Sequence, residues 1–583
     1  MKKKLLAIIT ACLFSALFAL GGCTPSSERP GGGGDDEFGL ATTIDNNRTT
    51  LFVSNFNGGF GERWLKAAAK RYEELHKDDV YEEGKKGVQI WIDNSKTGGK
   101  DTLANIESSR DAIFFTEYVY ASDYADSGKG LDLSSIIKDP LTEYGETRSI
   151  KDKMTKEQQD YFVLGSGENI ECYVLPHYQS FRGIVYDVDL FENELLYFSA
   201  NENNGNDGFI TSKDDSPSAG PDGQSGSYDD GLPATYEDFF KLCDRMVEQG
   251  IKPVIWSGSN QAYFTDFLAA LALDYEGLDD AMLNFTFDGT AYNLVESIGQ
   301  DGKITFMNDA EEGTGVDISP NNGYLLAKQA GKYYSLTFAE QLLQSKYIAS
   351  GSMGTLSHTD AQKNFINSRP SSTEQDIGMI IEGSFWENEC ADMNYFNVAE
   401  KQYGEVFSRE NRRFALMPYP KATEKEVGDK VTLTDSLMSG AFIRGNVTGV
   451  EKDLALDFLQ FLYTDESLRE FTQYTSAPKA LNYDIKGVEG LSYFAQSVFD
   501  MKNRADIVYP YSSAPIYADQ PSSFEPTSFY QTTVHLGAGN VPYTYPSRAM
   551  YDDGVTALQY FNGLSVSRSE SAWKSAYEKY FVS

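Results

Sequence analysis

Histidine is nearly absent from this 583-residue chain: His76, His177, His358 and His535 are all it has. That leaves little room for a histidine-rich metal centre. Basic residues are scarce as well, 50 Lys and Arg against 86 Asp and Glu, for a formal net charge of −36. Phosphate backbones and anionic membrane surfaces are held by clustered cations, so nucleic acid is not an expected partner. Cysteine numbers 5, with no C-x-x-C spacing. Cys12 and Cys23 fall in the first segment, and the others, Cys172, Cys243 and Cys390, allow at most one internal disulfide and read as small buried hydrophobes. Neither a G-x-S-x-G nor a Walker A sequence occurs. Carboxylate pairs such as Glu387 and Glu389 could mimic a glycosidase pair, but 86 acids make chance pairs abundant, so no enzyme is expected. Beyond Leu20 no stretch approaches the ~20 apolar residues that cross a bilayer. What is present is a 41% hydrophobic and 13% aromatic composition, rich in Tyr and Phe. It excludes wholesale disorder and is sufficient for two or three units with sizeable cores.

The first segment is an address. Lys2, Lys3 and Lys4 precede an apolar run from Leu5 to Leu20 that is short for a membrane span. Its end, Leu20-Gly21-Gly22-Cys23, resembles the lipobox of bacterial lipoproteins. That resemblance implies a signal peptide over 1–22, cleavage before Cys23, and acylation of Cys23 as the first mature residue. Acyl chains at ~0.8 kcal/mol per buried CH₂ would hold the protein at the outer face of a cell membrane without a spanning helix. Pro, Ser and the glycines Gly31 to Gly34 follow. Residues 23–48 therefore read as a flexible tether, with the folded body beginning near Arg48 to Leu51.

The body begins with a strand signal at Thr49 to Val53. A helix with Trp64, Leu65, Ala68, Tyr72 and Leu75 on one face follows, then strands at Val88–Ile92 and Ala112–Phe115 with a helix at Leu103–Ser108 between them. This β-α-β-α-β order predicts parallel strands, whose ligand sites lie beyond their carboxyl ends. Val174 to Tyr186 reads as one long extended segment. Asn201 to Gly231 reads as an inserted loop. Helices are expected at Tyr236–Gly250, Tyr263–Leu273, Phe338–Tyr347, Asp453–Tyr463, Ala549–Phe561 and Ser569–Phe581. Strands are expected at Pro253–Trp256, Ile377–Ile381 and Phe414–Pro418.

The order of these pieces resembles the family 1 extracellular solute-binding proteins of bacterial ABC importers, carbohydrate type. Leu175-Pro176 through Ile184-Val185-Tyr186-Asp187 and Asp189-Leu190-Phe191 resemble the family's first crossing between lobes. Tyr263-Phe264-Thr265, Ile377 to Trp386, Met417-Pro418-Tyr419-Pro420, Ser439 to Ile443 and Leu456 to Tyr463 follow in the family's order. The resemblance implies an α/β, two-lobe periplasmic-binding-protein-like fold (type II) with a hinge. Lobe one would comprise 49–178 and 437–490, and lobe two 179–436 and 491–583 with the insert 201–231. It further implies a monomer that captures a carbohydrate between its lobes and delivers it to ABC permease subunits. A surface glycan-binding lipoprotein without an importer and a peptide-binding importer subunit are the alternatives.

Candidate ligand residues follow from topology and resemblance together. Asn55 and Asn57 end the first strand, where plain turn chemistry would also place them. Glu117 and Tyr118 end the third, and Gln179 and Ser180 lie on the crossing. Phe385 and Trp386 follow a buried strand and a glycine, as a stacking platform or as core. Tyr263 begins a helix, and Trp256 ends a strand where core packing is common. Tyr543 and Tyr545 lie before a C-terminal helix. In the insert, Asp222, Gln224, Asp229 and Asp230 offer oxygen ligands for a structural Ca²⁺, against the reading of a solvated acidic loop.

Overall fold

The alternating run at Thr49 forms strand β1 (Thr49–Phe56) of a computed structural model that describes residues 37–578 apart from positions 96, 168, 202, 204, 308–313, 370–374, 511–532 and 538. Helix α1 (Arg63–Leu75) buries Trp64, Leu65, Ala68 and Tyr72, the face set by its 3.6-residue spacing. Strands β2 (Val88–Ser95) and β3 (Ile113–Thr116) then lie parallel to β1, with Val53 opposite both Ile92 and Ile113. Each connection returns the chain to the same end of the sheet, as parallel pairing requires.

Val174 to Tyr186 is not one strand. β4 (Leu175–Pro176) belongs to the sheet of β1, whereas β5 (Arg182–Asp187) belongs to another. Pro176 has no N–H to extend the ladder, and His177 to Phe181 cross between sheets. The crossing is held by backbone bonds from His177 N to Ser439 O, Gln179 N to Pro478 O and Ser436 N to Ser180 O.

In the second body, α2 (Tyr236–Glu248) precedes β6 (Lys252–Ile255), and α3 (Ala262–Thr286) follows it. Helix α4 (His358–Ser368) leads to β7 (Ile377–Gly383), which α5 (Trp386–Asp392) leaves. With β8 (Phe414–Met417) the four-stranded order is β8-β5-β7-β6. β5 is antiparallel to both its neighbours, and β6 is parallel to β7. The chain then returns as β9 (Gly440–Ile443), between β3 and β4, completing a five-stranded sheet in the order β2-β1-β3-β9-β4. Helices α6 (Gly449–Phe461) and α7 (Asp465–Thr475) bury Phe458 and Phe471 against it. Each sheet thus lies in its own hydrophobic cluster, and the architecture is two α/β lobes joined by crossings. The helix Tyr493–Arg504 buries Phe494, Val498 and Met501 in the second cluster.

Several expectations are corrected. The folded body starts before Arg48: Leu40 is 2% exposed in the first lobe's cluster, and Gln89 Nε2 donates to Thr43 O while its Oε1 accepts from Asp45 N. Apolar side chains and a buried amide therefore recruit the last part of the segment read as tether. The helix at Tyr263 continues to Thr286 through a non-helical Gly277. The expected helix Ala549–Phe561 is two, Pro546–Asp553 and Ala557–Ser567, broken at left-handed Gly554. The insert has no helix or sheet strand among its described residues, yet Phe209 stacks on Phe198 and is buried in the second cluster. Cys172, Cys243 and Cys390 are free and buried. Among the described residues no helix is long and apolar enough to cross a membrane. The signal peptide and Cys23 lie outside the described residues.

Candidate functional site between the two lobes

Four segments converge where the sheets face each other: the end of β3, the beginning of β5, the first turn of α3 and the end of β7. The carboxyl ends of parallel strands are the ordinary place for a ligand in such sheets. Arg182 heads β5, with its guanidinium carbon 4.7 Å from the Tyr263 ring centroid and 5.0 Å from that of Phe385. Phe385 comes from the second lobe but packs into the first lobe's cluster, and Tyr263 lies partly buried against the same cluster. The loop after β1 meets them. A Cβ on Gly59 would stand 3.0 Å from Phe385 Cβ, so glycine permits that approach. Asn388 Nδ2 donates to Gly59 O at 2.9 Å, a hydrogen bond between the lobes. Arg409 Nη2 donates both to Glu387 in its own lobe and to Ser476 Oγ across from it.

The polar groups are predominantly acidic. Glu117 is buried and accepts from Tyr178 OH. Burial pushes its carboxyl up to about 7, opposed by that hydrogen bond and by Arg182. Glu382 is 1% exposed, and burial, reinforced by the Glu389 charge, pushes it well above the usual carboxylate range. Gln362 Nε2 bridges the two, donating to Glu382 Oε1 at 3.2 Å and Glu389 Oε2 at 2.6 Å. His358 stacks on Tyr263 with centroids 6.0 Å apart, and its Nε2 lies 3.9 Å from Glu389. Asp266 faces Arg182 at 3.5 Å. Two aromatic faces beside buried groups that donate and accept can hold a polar molecule with an apolar side.

The structure gathers Glu117, Tyr263 and Phe385 of the expected residues here. Tyr118 follows Glu117, is 45% exposed and holds a left-handed φ of 56°, strained for a tyrosine. Asn55 serves its own turn, donating from Nδ2 to Gly61 O, and Asn57 N donates to Ser95 O. Gln179 and Ser180 are buried in the crossing. Gln179 Nε2 donates to Tyr509 OH at 2.6 Å, and Ser180 N donates to Asp435 Oδ1.

Trp256 and Trp386 are placed differently from a ligand platform. Trp256 is fully buried and stacked on Phe264 at 4.9 Å. Trp386 is 0% exposed, enclosed by Phe365, Phe396, Phe414 and Phe494. Helix α5 begins at Trp386, so the turn out of β7 directs Phe385 to the opposite lobe and its neighbour into the core. Tyr543, in a hairpin, donates to Asp553 at 2.8 Å, and Tyr545 precedes the helix at Pro546. In the insert Asp222 N donates to Asp229 Oδ2, Gln224 N to Asp222 Oδ1, and Gly226 N and Ser227 N to the Asp230 carboxylate. These oxygens are engaged by the loop's own turns, and among the described residues no three His, Cys, Asp or Glu are grouped to hold a metal ion.

Arg182, Gln362, Glu382 and Glu389 were not among the expected site residues. The available signal was a charge within an apolar strand: Arg182 opens the run to Tyr186, and Glu382 follows Ile377 to Ile381. Such residues are seldom buried without a partner.

Residues 58–332 match the family described as bacterial extracellular solute-binding protein. No curated protein matches the chain by sequence. Among solved structures it is similar to the GacH receptor of Streptomyces glaucescens, with a TM-score of 0.52 and 11% identity over 91% of this chain and 99% of that one. A probable secreted solute-binding lipoprotein from Streptomyces coelicolor gives 0.51 and 13%, over 90% and 100%. The solute-binding protein RafE in complex with raffinose gives 0.50 and 12%, over 89% and 98%. At such identities the likeness is one of fold.

Proposed function

We infer that this chain, whose residues 58–332 match the bacterial extracellular solute-binding protein family, is the solute-capturing subunit of an ABC importer and that its solute is a carbohydrate. The observation that carries the reading is the convergence of Tyr263 and Phe385 with Arg182, Glu117 and Glu382 where the lobes meet. Sugar rings lay an apolar C–H face on aromatic rings while their hydroxyls require donors and acceptors. The similar structures of GacH in complex with acarbose and of RafE in complex with raffinose support the same class. Capture proceeds by rotation of the lobes about the crossings at His177–Phe181 and Ser436–Ser439, burying the sugar. The closed form then docks on permease subunits in the membrane, to which acylated Cys23 tethers the body.

A thermal-shift screen of the soluble body against neutral mono- and oligosaccharides tests the reading. A true ligand at 100 times its Kd stabilises by ~2.7 kcal/mol. A shift with peptides and with no sugar overturns the carbohydrate assignment. Cys23→Ser should release the protein from membranes or leave the signal uncut. A variant that is processed and membrane-bound as before would refute the anchor.

A further inference from the structure

Lys479 and His177 are both buried, and Nζ of the lysine lies 2.5 Å from Nδ1 of the histidine. The same rings enclose both. Trp64 and Phe471 have centroids 5.0 and 5.5 Å from that of His177, and 5.3 and 4.9 Å from Nζ. Tyr463 adds a third ring 4.9 Å from Nζ. The other buried lysines have oxygen partners: Lys153 has Glu146 and Asp465, Lys421 has Asp274, and Lys332 has Asn284 and the Leu326 carbonyl. Among the described residues, the hydrogen-bond partner of Lys479 Nζ is the His177 ring. A hydrogen bond between two nitrogens needs a lone pair on one of them, so this contact excludes a lysine and a histidine that are both charged. A buried charge without a counter-ion is itself costly. Burial pushes Lys479 well below the ordinary lysine range, and burial together with the neighbouring lysine pushes His177 down as well.

The pair sits where the crossings meet. His177 N donates to Ser439 O of the return crossing, and His177 O accepts from Ala480 N. Gln179 N donates to Pro478 O, and Tyr178 bridges antiparallel to Lys479. Residues 478–480 begin a third passage, from α7 to the helix Tyr493–Arg504 in the second cluster. We propose that Lys479 and His177 form a proton-sensitive lock on this hinge: uncharged, they tie the first crossing to the third, and a proton taken up in acid loosens both. The groups that face the pair offer it no free counter-charge. α1, β3 and α7 present Trp64, Phe115 and Phe471. The phenols of Tyr178, Tyr463 and Tyr483 are raised by burial and stay neutral. Tyr178 donates to Glu117, and Lys153 donates to Tyr463 O while paired with Glu146 and Asp465. A proton on the pair is therefore relieved by water, which enters when the crossings part. The lock acts on the crossings themselves, whatever the solute.

Both shifts are downward, so the unfolded chain takes protons that the folded pair resists, and the pair's contribution to stability is lost as pH falls through that window. The test is native-state hydrogen exchange at pH 8 and pH 5 on the wild-type protein and on Lys479→Met, which is of similar length and neutral at every pH. Protection of the His177, Gln179 and Ala480 amides should fall between pH 8 and pH 5 by at least tenfold more in wild type than in the variant. Protection of the Val254 amide, bonded to Tyr347 O in the second lobe, should change equally in both. Equal falls at the three crossing amides overturn the lock, and so does an excess fall that extends equally to Val254. The Lys479 ε-carbon, set apart by the ring currents of Trp64, Tyr463 and Phe471, reports its own charge by NMR in wild type and needs no variant. It should be uncharged at pH 8. An ε-carbon that remains charged from pH 10 to pH 5 overturns the proposal even where Lys479→Met fails to fold.

Discussion

Phe385 and Trp386 are adjacent in the chain and face opposite lobes. Each is an aromatic past a buried strand, yet the onset of α5 turns the first toward the cleft and the second into a box of four phenylalanines. Trp386→Ala should cost ~3–5 kcal/mol of stability, read by denaturant unfolding, because it empties a close-packed site. Phe385→Ala should cost less stability and lower sugar affinity about thirtyfold, as removal of an aromatic anchor does. A stable Trp386→Ala with lost binding would reverse both assignments. Glu117 provides a pH signature. Its folded carboxyl titrates near 7, above an ordinary glutamate, because burial disfavours the charge. The folded state therefore binds more protons between about pH 4.5 and 7, and this group's contribution to stability is lost as pH rises through that window. Glu117→Gln should melt like wild type at pH 4.5 and higher than wild type at pH 8. Parallel melting curves at both pH values would show that Glu117 titrates normally.

Among the elements, α3 shows how a single residue redirects a helix. Its first part buries Phe264, Phe267 and Leu268 in the second lobe's main cluster, and its last part buries Ala281, Leu283 and Phe285 in a separate one. Gly277 between them has φ 71° and ψ 175°, a region that residues with a Cβ avoid. Gly277→Ala should destabilise the protein by ~1–3 kcal/mol although a Cβ would meet no atom within 4 Å. Unchanged unfolding would mean that α3 straightens at no cost. The helical pattern to Leu273 was legible because periodicity is local. Its continuation was not, since a glycine in such a pattern reads equally as an end. The crossing at His177 to Phe181 was legible as an extended run but not as a change of sheet, because the register that separates β4 from β5 is set by β9 and β7.

For the whole molecule, the charge of −36 is carried by a body that spends some acids on structure. Asp187 and Arg412 form a buried pair, and Asp274 pairs with Lys421 in the second lobe. The insert does the same locally, with Asp222, Asp229 and Asp230 occupied by backbone donors and Ser227, and Arg504 3.6 Å from Asp222. Dialysed protein is therefore expected to contain no stoichiometric calcium by elemental analysis and to melt identically with EDTA or added Ca²⁺. One calcium per chain, with melting lowered by EDTA, would show that these turns rearrange around a cation.

The sequence by itself determined the elements and their order. Apolar spacing of two or 3.6 residues, a proline, and a glycine at a helix end act within a few residues, so one chain suffices to read them. The parallel start of the first sheet and the candidacy of the β3 end, with Glu117 and Tyr118, follow from that order alone. Only the tertiary structure decided which side chains face the cleft. Arg182 meets Tyr263 and Phe385 because the crossings bring β5, α3 and the end of β7 to one boundary, and Trp256 and Trp386 leave it because their strands and helices turn them inward. Facing depends on the packing of elements far apart in sequence, and no local pattern encodes it.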